Sequence, residues 1–184
     1  DAASGKTLRV VKGSEKTKQI IYREGYLLLL SDDEVNQMEK IDAARRRGKF
    51  LKHHCHVLKV DVATGETVWK DDIDELVFPC MALKNNQLLL QTPTRVIALG
   101  QETGKEQWSA DFKAELPVPG NKLKNDEMQW EAPTLVVSDE VVFSADFKKV
   151  LAYDAKSGKQ LWSGSSANGY NAPADLFLID GLVW

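Results

Sequence analysis

Several groups that would assign a chemistry to this chain are missing from its sequence. Cysteine is scarce, with only Cys55 and Cys80 among 184 residues, and no Gly-rich phosphate loop, nucleophile elbow or paired-histidine zinc motif is present. No apolar run reaches the roughly 18 residues of a membrane-spanning helix. The sequence therefore carries no signature of nucleotide binding, acyl transfer, zinc catalysis or a membrane span.

Positive charge is also too sparse for a nucleic-acid groove. The formal net charge is −3, and no basic stripe with interleaved aromatic residues occurs. The one basic run, Arg45-Arg46-Arg47, follows several acidic residues and is typical of a solvated helix face. We therefore predict that nucleic acid is not a partner.

A repeated motif organises the rest of the sequence. The pattern T/S-G-E/K-x-x-W occurs at residues 64–69, 103–108 and 157–162, and a worn copy opens the chain at Ser4-Gly5-Lys6, with Arg9 in the tryptophan place. Each full copy follows a short apolar strand, and the closest copies are about 40 residues apart, the size of one propeller blade. We therefore predict an all-β fold, a partial β-propeller of four-stranded antiparallel blades, about four blades in all.

Residues 1–184 are predicted to form a single domain, a partial propeller. Complete blades are expected at residues 18–70, 76–110 and 132–163, and partial blades at residues 1–11 and 172–184.

Two insertions interrupt the blades. Residues 31–52 are rich in charged helix formers, and Ser31 with Glu34 fits a capping box, so one surface helix is predicted there. That helix is either a packed excursion between strands or a docking element for another domain or protein. Residues 112–129 contain prolines and no periodicity, which predicts an exposed loop.

The motif itself predicts a tight turn followed by a packing group. Glycine can take the positive φ that closes such a turn, and side chains such as those of Asp154 and Ser157 can bond nearby backbone N–H groups. Gly100 replaces the aspartate in the middle copy, so that turn should lose one bond. Each tryptophan should bury a large apolar face between neighbouring blades. The predicted structural residues are Gly65, Trp69, Gly104, Trp108, Gly158 and Trp162.

The pattern at residues 57–69, 96–108 and 150–162 resembles the pyrroloquinoline quinone-type β-propeller repeat. That repeat is found in quinoprotein dehydrogenases and in many non-enzymatic propellers, so the resemblance implies the fold and leaves the function open. The runs 169–173 and 179–184 look like parts of multi-domain bacterial proteins, notably of planctomycetes, in which such a propeller can be joined to a methyltransferase-like domain.

The resemblance also bears on cofactors. Quinoprotein dehydrogenases hold their quinone with Ca²⁺ bound by carboxylate and amide ligands, and they usually carry two adjacent cysteines. No Cys-Cys pair occurs here, and Glu131 and Asn171 alone fall short of the roughly 6–8 oxygen ligands that Ca²⁺ takes. We therefore predict that neither pyrroloquinoline quinone nor Ca²⁺ is bound.

A propeller of this kind usually has eight blades, so the chain is expected to be a fragment with exposed flanks. The apolar residues predicted at these flanks are Ile20, Ile21, Leu176, Phe177 and Ile179. They should lead either to self-association through the terminal blades or to closure of the terminal strands on each other.

Two further sets of residues are candidate ligands. His53-His54-Cys55-His56 gathers four metal-ligating residues, but strand alternation divides them between two faces, so we predict no metal site. Because Cys55 and Cys80 lie on strands that are not neighbours, no disulfide is expected.

Aromatic and polar residues at the entrances to two innermost strands form the second candidate. Trp130 with Glu131 and Tyr170 with Asn171 occupy equivalent positions in adjacent units, where they would ring one mouth of a central channel. They form either a ligand site at that mouth or plain caps on the apolar layers and strand ends.

The sequence favours a non-catalytic propeller segment that acts as a binding or scaffold module for a protein partner or a linked domain, outside the cytoplasm or in the periplasm. One alternative is a fragment of a quinone-dependent dehydrogenase. Another is a propeller accessory to a methyltransferase-like domain.

Overall fold

In the computed structural model, most of the described residues lie in β-strands. The described residues are 3–7, 9–32, 53–75, 80–92, 94–112, 134–145, 149–165 and 176–184. Within these ranges the chain forms strands and turns and no helix, which confirms the predicted all-β class.

Twelve of the strands form three four-stranded antiparallel sheets, in which the strand order follows the chain order. Blade 1 contains β1 (Thr17–Arg23), β2 (Tyr26–Asp32), β3 (His53–Asp61) and β4 (Thr67–Glu75). Blade 2 contains β5 (Cys80–Lys84), β6 (Gln87–Gln91), β7 (Arg95–Gly100) and β8 (Glu106–Asp111). Blade 3 contains β9 (Thr134–Val137), β10 (Val141–Ala145), β11 (Lys149–Asp154) and β12 (Gln160–Ser165). A terminal hairpin follows, with β13 (Leu178–Ile179) and β14 (Leu182–Val183).

The core lies between the blades, because the sheets stack face to face. Leu28 and Leu30 of β2 pack with Leu88 and Leu90 of β6 between blades 1 and 2. Leu89, on the opposite face of β6, joins the core between blades 2 and 3. A strand covered on both faces reads as an unbroken apolar run, and this explains the leucine runs of β2 and β6. Each fully buried leucine contributes roughly 1.5–3 kcal/mol.

Shorter segments cover the outer faces of the end blades. Leu176 and the terminal hairpin pack on Phe143 and Val150 of blade 3. At the other end, Val11 packs on the face of blade 1 that carries Leu29. Partial units therefore lie on both sides of the three complete blades.

The two ends of the blades differ. At the end called here the turn end, β1 and β2 are joined through Glu24 and Gly25, both at positive φ, and β5 and β6 through Asn85 and Asn86, also at positive φ. Two positive φ values are the geometry of the tightest hairpin turn. Strands β2 and β8 run to the opposite end, called here the loop end, where the connections 33–52 and 112–133 leave the sheets.

The first residue of each predicted insertion, Ser31 or Phe112, does not have the structure that was predicted for it. Ser31 does not cap a helix but lies in β2, opposite His56, and its Oγ lies 2.8 Å from Thr17 Oγ1. The strand continues because β3 still offers it a partner. Phe112 is buried and donates its N–H to Thr94 O at 2.8 Å, so the exposed loop does not begin there. The predicted helix and the rest of that loop, 113–129, lie outside the described residues.

The two cysteines are buried and are not joined to each other, as predicted. Cys55 Sγ lies 3.1 Å from Ile73 O. Burial raises the pKa of the Cys80 thiol to about 12, so it stays protonated at neutral pH. Across the described ranges, no helix is long and apolar enough to cross a membrane.

Candidate functional site

In blade 3 an aspartate adds side-chain hydrogen bonds to the repeat turn. In blade 3, Asp154 Oδ1 accepts hydrogen bonds from Ser157 N at 2.8 Å, Ser157 Oγ at 2.7 Å and Lys156 N at 3.2 Å. The bonds from Ser157 are the main cause that lowers the pKa of the Asp154 carboxyl. Gly158 closes the turn at φ +69° with its N–H on Asp154 O at 2.9 Å.

Blade 2 forms the same turn without the carboxylate. Gly100 stands in the aspartate place, and Gly104 N still donates to Gly100 O at 2.8 Å, with Gly104 at φ +69°. The backbone bond and the glycine conformation are therefore sufficient for the shape of the turn.

Each of these turns receives the tryptophan of the preceding blade, and we call this contact a joint. Trp69 of blade 1 donates Nε1–H to Gln101 O of blade 2 at 3.0 Å, and a Cβ on Gly104 would lie 2.7 Å from Trp69 Cε3. Trp108 of blade 2 donates in the same way to Ala155 O of blade 3 at 3.0 Å. Glycine is required because the indole occupies the space that a Cβ would fill.

Arg9 occupies the tryptophan position of the repeat in the structure as well as in the sequence. Its Nη1 donates to Val62 O at 2.5 Å, and Val62 follows Asp61 as Ala155 follows Asp154. The aliphatic stem of Arg9 lies where a Cβ on Gly65 would be, 2.9 Å from Cδ. A joint therefore also links the N-terminal segment to blade 1.

Two halves of further joints lie open at the ends of the stack. The Trp162 side chain is 45% exposed, whereas Trp108 is 8% exposed, so the expected burial of Trp162 is wrong for this chain. Trp162 contacts Phe143 of its own blade, with ring centroids 6.0 Å apart. At the other end, Gly5 has φ +67° and open space around the Cβ position.

Sequence reasoning missed an ion pair between a buried lysine and an exposed glutamate. Lys59 stands opposite Trp69, at the repeat position that alanine holds in the other two blades, and it is fully buried. Its Nζ lies 2.6 Å from Glu102 Oε2 of blade 2 and 4.1 Å from the centroid of the Tyr26 ring. A lysine in an alanine position of the repeat was the available signal.

The core between blades 2 and 3 contains buried polar groups without partners. Both amide atoms of Gln91 and the Oγ of Ser144 have no hydrogen-bond partner. Alternation along β6 and β10 puts Gln91 on the face of Leu89 and Ser144 on the face of Val142, which both pack in the core between blades 2 and 3.

Of the two candidate ligand sets, the described residues include only the first, at residues 53–56. His54 is exposed, whereas Cys55 and His56 are buried. Over the ranges that the structure covers, no three His, Cys, Asp or Glu side chains meet as a cation site. The predicted channel-mouth residues Trp130, Glu131, Tyr170 and Asn171 all lie outside the described residues, so that site stays a prediction.

Solved structures share this architecture. The computationally designed Ika4 protein matches at TM-score 0.64 and 14% identity, over 97% of this chain and 90% of Ika4. The designed Ika8 protein matches at TM-score 0.57 and 14% identity, over 89% of this chain and 40% of Ika8. A europium-containing methanol dehydrogenase matches at TM-score 0.52 and 16% identity, over 86% of this chain and 27% of the enzyme. At these identities the likeness concerns the fold alone.

Four-stranded blades joined by tryptophan on a glycine turn define a β-propeller repeat protein of the pyrroloquinoline quinone type. A family model described as outer membrane protein assembly factor BamB matches residues 53–174, and the chain belongs to that family. No curated protein sequence matches the chain significantly.

Proposed function

We propose that this chain is a non-catalytic scaffold that binds a protein partner or a linked domain at the loop end of its blades. The observation that carries the proposal is the difference between the two ends. The turn end is closed by hairpins of two to five residues, whereas the two longest connections, 33–52 and 112–133, leave from the loop end. Connections carried on a rigid sheet scaffold are where binding residues concentrate.

The described residues at the loop end form a fixed base for such connections. Thr92 N donates to Arg95 O at 2.9 Å, and Phe112 N donates to Thr94 O at 2.8 Å. Tyr153 OH donates to Asp111 O at 3.1 Å and ties blade 3 to the end of β8. These bonds hold the strand ends in place, so a partner would meet a preorganised surface.

The family description supports a role in protein assembly outside the cytoplasm, since it names an outer membrane protein assembly factor. We therefore propose an extracytoplasmic location, which fractionation of the native host would test. We also propose that neither quinone nor Ca²⁺ is needed for this role.

Photo-crosslinking in the native host tests the proposal. A crosslinking amino acid placed at Thr94, at the loop end, should capture one discrete protein, and the same group at Glu140, at the turn end, should not. In a variant, residues 113–133 are replaced by residues 76–79, which join β4 to β5. This variant should keep its thermal transition and lose the capture.

Equal capture from both positions would contradict the binding surface. Saturable binding of quinone with Ca²⁺, together with dye reduction by an alcohol or a sugar, would instead support a dehydrogenase fragment. Co-purification of a methyltransferase activity that responds to the loop exchange would support the accessory role.

A further inference from the structure

We propose that the face of blade 1 that carries Lys59 selects the blade that follows it, and that it accepts a blade with a carboxylate in the place of Glu102. The tryptophan of each joint bonds to a main-chain carbonyl, so this bond does not distinguish one blade from another. The pair of Lys59 and Glu102 joins two side chains across the same joint, so it does. The inference concerns the order of the blades and is independent of the proposed scaffold function.

Lys59 sets the face of blade 1 apart from the faces of the other blades. It lies opposite Trp69, whereas Ala98 and Ala152 lie opposite the tryptophans of blades 2 and 3. The Lys59 side chain is 1% exposed, and alternation along β3 puts it on the face of Val57, which packs in the core between blades 1 and 2. Blade 2 therefore covers the lysine, and any blade in that position has to accommodate its charge.

The negative charge that meets this lysine comes from blade 2. A buried ammonium is costly unless an acceptor pairs with it, and Glu102 Oε2 lies 2.6 Å from Lys59 Nζ. The Glu102 side chain is 67% exposed, so blade 2 supplies the charge without burying a second ion. Blade 1 itself supplies an aromatic face, since the centroid of the Tyr26 ring lies 4.1 Å from Lys59 Nζ.

The repeat turns of the other two blades lack this carboxylate. Glu102 lies two residues after the residue whose carbonyl accepts the turn glycine, and that place is held by Ala63 in blade 1 and by Lys156 in blade 3. If blade 3 followed blade 1 directly, Lys156 would meet the ammonium of Lys59, and like charges at this range repel each other. A second blade 1 in the same place would leave that ammonium without a carboxylate.

The joint between blades 2 and 3 shows the same position without a lysine. Ala98 lies opposite Trp108, and Trp108 donates to Ala155 O at 3.0 Å. Lys156 of the accepting turn is exposed. A joint therefore forms with a basic residue in the place of Glu102 when the preceding blade carries alanine in the place of Lys59.

Blade 1 is thus the exception among units that otherwise need only a glycine turn in the next unit. The three blades have the same four-stranded architecture, so side chains have to disfavour a stack in which the wrong blade follows blade 1. A buried lysine does this through the penalty that it imposes on every neighbour without a carboxylate.

Denaturant unfolding of the full chain tests the selectivity with substitutions that copy the residues of the other blades. Glu102→Lys gives blade 2 the residue of blade 3, and it should lower the ratio of folded to unfolded chain about a hundredfold. Glu102→Ala gives it the residue of blade 1 and should lower the ratio about tenfold. Lys156→Glu, which makes the reciprocal change in the next joint, is the matched control and should change the ratio about twofold or less.

Lys59→Ala separates selection from a general need for Glu102. In this background the first joint has the same residue as the second, so Glu102→Lys should be nearly neutral. A loss from Glu102→Lys that is equal in both backgrounds, or an equal loss from Lys156→Glu, would overturn the proposal. If Glu102→Lys alone prevents folding, adding Lys59→Ala should restore the β-sheet signal in circular dichroism, and a double variant that stays unfolded would also overturn the proposal.

Discussion

The joint between blades 2 and 3 and the joint at Arg9 make the same hydrogen bond with different side chains. Trp108 donates to Ala155 O and is buried, whereas Arg9 donates to Val62 O and is exposed. The geometry of the joint is therefore set by the turn that accepts, and the donor decides how much apolar surface is buried. Four predictions test this difference, from the largest expected effect to the smallest.

The largest effect is expected for Trp108→Ala. Removing a buried tryptophan costs about 3–5 kcal/mol, and here it also leaves Ala155 O without its donor. Denaturant unfolding measures the loss. Trp162→Ala is the comparison and should cost clearly less, because the Trp162 ring is 45% exposed, donates to no acceptor turn and packs on Phe143 of its own blade. Similar losses at both positions would contradict the role of the acceptor turn.

Substituting the glycine of an acceptor turn should destabilise the fold less than removing Trp108, and the loss should again be larger at the tryptophan joint than at the Arg9 joint. Gly158→Ala forces a positive-φ alanine and overlaps the Trp108 ring, so we expect a loss of about 3 kcal/mol. Gly65→Ala carries the same strain, but the flexible Arg9 side chain can move aside, so about 1 kcal/mol is expected. Thermal unfolding should rank the two variants in this order. An equal loss would mean that backbone strain alone explains the glycines.

Arg9→Ala should cost about 1 kcal/mol, because it removes one hydrogen bond and the packing of the aliphatic stem. Lys12→Ala, an exposed change nearby, is the control and should be neutral. A larger loss at Arg9 than at Trp108 would reverse the comparison.

The smallest effect concerns the turn below the joint and depends on pH. The pKa of Asp154 is lowered in the folded chain, so its contribution is present above the ordinary pKa of 3.8 and is lost as pH falls through the lower folded value. Asp154→Asn should therefore flatten the fall in stability below about pH 4. Unfolding midpoints between pH 2 and pH 7 measure this, and an unchanged acid profile would show that the turn needs only its backbone bonds, as at Gly100.

The fold was largely predictable from the sequence because its signal is local and repeated. The motif marks each outer hairpin, and Arg9 could be assigned to the tryptophan place by alignment alone. The partner of each tryptophan was not predictable, since Gly104 and Gly158 had been explained by turn conformation only. Burial of Trp162 between neighbouring blades was predicted from its place in the repeat, but burial also requires an acceptor turn, and the described residues after it provide none.

Other differences between the sequence predictions and the structure arise from tertiary contacts. Ser31 fits a helix cap by sequence, but pairing with β3 extends the strand through it. Its charge argues against placing Lys59 in a core, but the Lys59 ammonium pairs with Glu102 of the next blade and lies over the ring of Tyr26. The channel-mouth prediction at Glu131 and Asn171 remains a prediction.

The acceptor in every joint is a main-chain carbonyl, as in Gln101 and Ala155. A carbonyl is present whatever the side chain, so a neighbouring unit needs only a glycine turn to receive the indole before it. Units of this kind can be duplicated, lost or exchanged by recombination without a compensating mutation in the next unit. This tolerance gives a physical reason why one repeat can serve proteins of different blade number and different function.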